Sequence, residues 1–283
     1  MFGAVALALV VGAIHRRLPP RVGALSLAAT LLLVAVAVVP SVWMLGLGFL
    51  GHLPYVGHLL GWCVSAAGME DPIAPLIGLP AATLCAVGSI RIAQVSTAYR
   101  QARRSRPHEV EVTRDEVPVA YTLPGRAGRM VISTGLISML TADELDVVLA
   151  HERAHGAHRH DRMVLLARLS QAAVPALRPL SDRLLFTLER WADEDAVSAA
   201  NGDRRFVAQT IAKVALRAST PPIALAVGGL GVPARVDALL EPPVPLRSRP
   251  ALMSIGAAIV MTSALSAYQL HHLTAFASAL CPG

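Results

Sequence analysis

The sequence predicts an integral membrane protein, mainly α-helical, with four transmembrane helices and an α+β domain inserted between the third and the fourth. Three observations carry this expectation. Apolar residues gather into four blocks, arginines cluster at alternate ends of those blocks, and a polar stretch with helix-cap and strand signals separates the third block from the fourth. Mean hydropathy is +0.54. Charged residues are 16% of the 283, against roughly 25% in an average soluble protein.

The first block runs from Met1 to Ile14, a little short for a span. Its arginines, Arg16 and Arg17, follow the apolar run, and no small-residue cleavage site ends it, so it reads as a retained helix rather than a signal peptide. The second, from Val22 to about Leu50, is interrupted by Pro40 but long enough to cross. The third begins at Pro72 and carries no charge before Arg91; the fourth, Ala251 to Leu270, is uncharged. Crossing the hydrocarbon core takes about 20 apolar residues. Helices are therefore expected at about 1–14, 22–50, 72–95 and 251–270.

Arginine placement orients them. Arg16, Arg17 and Arg21 follow the first block, and Arg91, Arg100, Arg103, Arg104 and Arg106 follow the third. Arg247 and Arg249 precede the fourth. The loop after the second holds Glu70 and Asp71 and no Lys or Arg. Basic flanks mark the cytoplasmic side, so both termini are expected outside the cell membrane and the inserted domain in the cytoplasm. The chain divides into a membrane domain at 1–106, the inserted domain at 107–245, and a last helix with a short external tail at 246–283.

The net charge of +6 fits juxtamembrane arginines that meet anionic lipid in the bilayer. Aromatics are only 4% and no basic recognition stretch occurs, so no nucleic-acid partner is expected. Cys63, Cys85 and Cys281 are not spaced as metal-ligand pairs. Cys63 and Cys281 fall on the external side, where a disulfide between them can form.

The chemistry lies in His151-Glu152-Arg153-Ala154-His155. Upstream, Thr141 and Glu144 form a T-x-x-E capping box, which marks a helix start. Leu145, Val148, Leu149 and Glu152 follow with helical spacing and carry the motif inward. On a helix, histidines four apart share a face and can hold one Zn²⁺, with Glu152 placed to take the proton of the attacking water. The bland alternative is a solvated surface helix.

A catalytic zinc site needs a third protein ligand. Thr187 to Ala196 supplies the candidate, on a helix that Ser181 would cap from about Asp182 to Ala200. Glu189 and Asp193 share one face: Glu189 as ligand, Asp193 as acceptor for the second N–H of a ligand histidine. Glu194 and Asp195 read as a solvated acidic face. His158 and His160 follow the motif closely enough to be weighed as ligands, and Glu189 is preferred.

These two segments resemble the H-E-x-x-H and E-x-x-A-D pair of gluzincin membrane peptidases, both the HtpX and CAAX-prenyl endopeptidases and the BlaR/MecR type. Pro118 to Gly125 and Val131 to Leu136 are similar to the two strands before the active helix in those families, and Asn201 to Arg205 to the turn after E-x-x-A-D. Val232 to Leu240 can form a short helix, with an R-V-x-x-L-L element like one that follows their catalytic core. Three apolar blocks before the motif and one after it fit the BlaR/MecR arrangement better, although the external penicillin-binding domain of the β-lactam sensors has no counterpart after Leu270.

The resemblance implies a zinc endopeptidase domain of α+β gluzincin fold, with one Zn²⁺ on His151, His155 and Glu189 and Glu152 as general base. It implies an edge strand at Val131, Ile132, Ser133 and Thr134 along which substrate lies. The expected partner is a protein or peptide substrate, with a transcriptional repressor in a signalling pathway as the leading idea and a sensor as a further partner. Membrane-protein quality control of the HtpX type is the alternative, and a non-proteolytic scaffold or receptor the alternative of another class. An arginine such as Arg204 is considered for oxyanion stabilisation.

Overall fold

The computed structural model describes residues 2–58, 73–104, 110–125, 129–217 and 231–242, with Gly256, Val260 and Ala264. Cys63, Cys281 and nearly all of the fourth expected span lie outside the described residues.

Helix α1 is Phe2–Ile14. At 13 residues it is about 20 Å long, short of the ~30 Å hydrocarbon core. A single 3₁₀ turn, His15–Arg17, leads to Leu18 and two prolines, and Pro20 opens α2, Pro20–Gly51. Proline suits that first helical position because its missing N–H has no partner there anyway. Helix α3, Pro75–Arg104, outruns the expected end near residue 95 and carries Arg91, Arg100, Arg103 and Arg104 on continuous helix. Among the described residues, α2 and α3 are the two helices long and apolar enough to cross a membrane. Much of their outer surface is apolar, with Leu32, Leu47, Leu79 and Ile90 all exposed.

Small residues let α2 and α3 approach closely. A Cβ on Gly46 would come within 2.9 Å of Cys85 Sγ and 3.0 Å of the Ala82 nitrogen. Cys85 is a buried free thiol on this seam, its Sγ 3.6 Å from the Val42 carbonyl.

Three short strands follow: β1 Val110–Thr113, β2 Ala120–Leu123 and β3 Arg129–Ser133. Their spatial order is β1-β3-β2, with β3 parallel to β1 and antiparallel to β2. The expected edge strand is therefore the central one. Val131, Ile132 and Ser133 are buried, and Thr134 has left the strand to begin α4, Thr134–Met139. Ser133 ends the strand and caps that helix, its Oγ accepting from the Leu136 N–H at 3.1 Å. Among the described residues, the free edges belong to β1 and β2.

Helix α5, Ala142–Ala157, has the full capping box: Thr141 Oγ1 accepts from the Glu144 N–H at 3.3 Å, and Glu144 Oε2 accepts from the Thr141 N–H at 2.8 Å. Lys213 reaches the same carboxylate at 2.7 Å. One side of α5 places Val148 and Leu149 against Met130, Ile132 and Leu136; the other places Val147 against Ala196, Val197 and Val207. Arg159, in the left-handed conformation at φ 55°, reverses the chain into α6, His160–Ala173.

Helix α7 spans Arg178–Ala199 and starts one turn before the expected cap. Pro179 sits in its first turn, where proline is tolerated. Ser181 is inside the helix, its hydroxyl donating to the Ala167 carbonyl at 3.0 Å. Helices α8, Arg204–Arg217, and α9, Val232–Leu240, follow.

The largest apolar cluster joins Leu7 and Val11 of α1, Leu27, Leu31 and Val34 of α2, and Leu180, Leu184, Leu185 and Leu188 of α7. The boundary that the sequence places at residue 106 is no break in packing, because membrane-type helices and the E-x-x-A-D helix share this core.

Candidate metal centre

Helices α5 and α7 pack face to face and bring three donors together. His151 Nε2 lies 3.1 Å from His155 Nε2. Glu189 Oε2 is 3.5 Å from His151 Nε2, and Oε1 is 3.5 Å from His155 Nε2. Tetrahedral ligands at about 2.0–2.1 Å from one ion stand roughly 3.3 Å apart, so two imidazole nitrogens and a carboxylate at these separations fit a single cation. These residues form a group that could hold a metal ion.

Each histidine has a polar neighbour behind its ring. His151 Nδ1 faces Asp193 Oδ1 at 3.0 Å, and His155 Nδ1 faces His160 Nδ1 at 2.9 Å. With a proton on each Nδ1, both Nε2 lone pairs point at one spot. Two lone pairs 3.1 Å apart repel unless a positive charge lies between them.

Arg235, from α9, was given no role by the sequence. It is buried, donates from Nε and Nη2 to Asp193 at 2.8 and 2.6 Å, and lies 3.0 Å from Glu189 Oε2 through Nη1. Its only sequence signal was the R-V-x-x-L-L element, whose arginine lies 42 residues beyond Asp193.

Without a cation between the donors, these contacts shift the groups as follows. Burial would raise the Glu189 and Asp193 carboxyls, but Arg235 outweighs it, helped by His155 at Glu189 and by His151 at Asp193. Both stay below the usual carboxylate range. Burial disfavours a charged His151, yet Asp193 and Glu189 prevail and raise it to about 10. Burial lowers His155. Burial, reinforced by the neighbouring imidazoles, takes His160 down to about 3.

Glu152 is buried on α5 beside the three donors. Thr122 of β2 lies 2.7 Å from its Oε2 and 2.9 Å from its carbonyl through the hydroxyl. Thr122 is the second residue the sequence left without a role, its strand having been recognised without the contact. His158 is not one of the donors: it pairs with Asp195 at 2.6 Å and stacks on Trp191 at 4.5 Å. Nor are Glu194 and Asp195 a merely solvated face. Arg204 takes Glu194 with both Nη atoms, at 2.6 and 3.0 Å, and donates from Nε and Nη2 to the carbonyls of Leu239 and Ala238. Those contacts tie α7, α8 and α9 together and leave Arg204 no oxyanion role.

No curated protein and no solved structure matches the chain. The sequence model of Peptidase family M48 matches residues 90–212, the segment that holds His151, Glu152, His155, Glu189 and Asp193, and this match supports a metallopeptidase.

Proposed function

We propose that the chain is a membrane-embedded zinc endopeptidase that cuts a protein at the cytoplasmic face of the cell membrane. The observation that carries this is the convergence of two Nε2 atoms and one carboxylate at 3.1–3.5 Å, each histidine backed by its own partner. Two imidazoles and a carboxylate suit zinc and leave a fourth position open. When bound there, zinc would supply Lewis-acid activation of the water and of the scissile carbonyl.

The chain's own groups do the rest. Glu152 takes the water proton and returns it to the leaving amine. Thr122 holds that carboxylate by its hydroxyl. Asp193, gripped by Arg235, fixes the ring of His151. An extended substrate pairs along the free edge of β2, the strand that touches Glu152, rather than along β3.

The helix ends that meet the site helices support one orientation. Arg21, at the start of α2, lies 5.8 Å over the Trp191 ring, and Tyr99, near the end of α3, donates to Asp161 of α6 at 2.8 Å. The arginine-rich ends of α2 and α3 thus touch the peptidase helices, which supports a cytoplasmic site. A repressor as substrate, in a signalling pathway of the BlaR/MecR type, rests on the sequence resemblance alone.

Glu152→Gln tests the assignment. The purified variant keeps zinc and loses proteolysis; retained proteolysis in a clean preparation refutes it. In cells, one repressor accumulating uncut supports signalling, whereas many damaged membrane proteins accumulating assigns the enzyme to quality control.

A further inference from the structure

His155 presents Nε2 to the other donors, so its proton sits on Nδ1. The acceptor the structure gives that proton is His160 Nδ1, 2.9 Å away, with the two rings edge to face at 80°. An imidazole that accepts at Nδ1 carries its own proton on Nε2. In His160 that Nε2 is buried and has no hydrogen-bond partner among the described residues. It lies inside a nest of rings, with Trp191 at 4.9 Å and His158 at 5.8 Å between centroids. The fold leaves one nitrogen of His160 unsatisfied while its other nitrogen faces His155.

The backbone is bent to make that contact. Arg159 takes the left-handed conformation, uncommon for a residue with a side chain. This turns residue 160, the first of α6, back onto residue 155. Asp161 anchors the turn, receiving Tyr99 Oη at 2.8 Å and Arg159 Nε at 3.2 Å.

We infer that His160 is a positioning residue for the metal centre, holding the Nδ1–H tautomer and ring direction of His155 as Asp193 holds those of His151. The two histidines are then unequal ligands. The one backed by a carboxylate is the stronger donor, and the one backed by a neutral imidazole the weaker.

This rests on the zinc reading above, and zinc affinity of the full chain in detergent, measured against a competing chelator, tests both separately. His160→Asn keeps an acceptor oxygen where Nδ1 stood and is expected to bind zinc within about threefold of wild type. His160→Leu keeps bulk without an acceptor and is expected to lose about 10–100-fold. Wild-type affinity in the Leu variant overturns the inference and leaves the zinc reading standing, as does an equal loss in both variants. If the Leu variant does not fold, the Asn variant decides: a loss of tenfold or more overturns the inference. A wild-type protein that takes up no zinc overturns both.

Discussion

Replacing Arg235 with Met removes a guanidinium that contacts two buried carboxylates. The side chain is 5% exposed, Asp193 1% and Glu189 7%, so water cannot enter to take its place without local opening. At an effective dielectric near 20, each charge pair about 4 Å apart is worth roughly 4 kcal/mol. Arg235 makes such contacts with both carboxylates, at 2.6 Å to Asp193 and 3.0 Å to Glu189. The desolvation cost of the arginine itself offsets part of this. Removing one member of a buried pair typically costs about 3–5 kcal/mol, or about 10 °C in Tm for a chain of this size. Thermal unfolding in mild detergent with a chelator present reads the loss. Excess zinc should restore part of it, because the cation binds beside the same carboxylates. Arg235→Lys should fall between, since an ammonium cannot reproduce the two-pronged grip on Asp193 while reaching Glu189. In the double variant Asp193→Asn with Arg235→Met, the loss should be smaller than the sum by at least about 1 kcal/mol, because one of the two stranded charges is gone. A loss under about 1 kcal/mol for Arg235→Met, or strictly additive losses, would refute the electrostatic account.

Thr122→Val removes the hydroxyl 2.7 Å from Glu152 Oε2. Cleavage of an unfolded test protein should slow about tenfold, the equivalent of one hydrogen bond, at unchanged zinc content; an unchanged rate would dismiss Thr122 as a positioning group. Gly46→Leu should lower Tm by several degrees, since even a Cβ there meets Cys85 and Ala82, whereas Gly125→Ala, with nothing within 4 Å, should be neutral. Equal effects at both positions would show that the α2–α3 seam is not tightly packed. The folded pKa values of Glu189 and Asp193 lie below their unfolded ones, so the stability they contribute is present above about pH 4 and is lost as pH falls through the folded values. Arg235→Met withdraws the main cause of that depression. Its stability deficit against wild type should therefore narrow between pH 7 and pH 4, and a constant deficit would contradict the assignment.

What the sequence disclosed was local. The capping box at Thr141 and Glu144, the shared face of His151 and His155, and the short helix from Val232 all follow from neighbours within a turn or two. What it hid was pairing between distant segments. The edge at Val131 came from the family resemblance, and β1, which covers it, is short, with Val110 and Val112 exposed and no inward apolar face to announce it. Its parallel pairing with β3 also skips over β2. Ser181 looked like a helix cap because serine so often is one, yet its hydroxyl is engaged by the Ala167 carbonyl of α6. Arg235 was visible as a residue but not as a partner, since nothing local to α9 says which acid it will meet. The candidate ligands and Asp193 could be named because their spacing is helical, while the supporting groups the sequence did not pair, Thr122, His160 and Arg235, come from β2, α6 and α9.

The same limit explains why the membrane and peptidase parts seemed separable. Along α7 the polar face carries Glu189 and Asp193, and the apolar face carries Leu184, Leu185 and Leu188. An amphipathic helix announces that one face will be covered but not by what. Here the cover is α2: Leu188, next to the candidate ligand Glu189, is buried in the cluster that contains Leu27 and Leu31 of α2. Displacing α2 along α7 would therefore move the backbone that carries one ligand, while His151 and His155 ride on α5, which packs mainly against β-sheet residues, α7 and α8. The candidate centre is assembled from two packing environments, one donor from a helix seated on a membrane-type helix and two from a helix seated largely on the sheet, α7 and α8. Its geometry is thus tied to how α7 sits on α2.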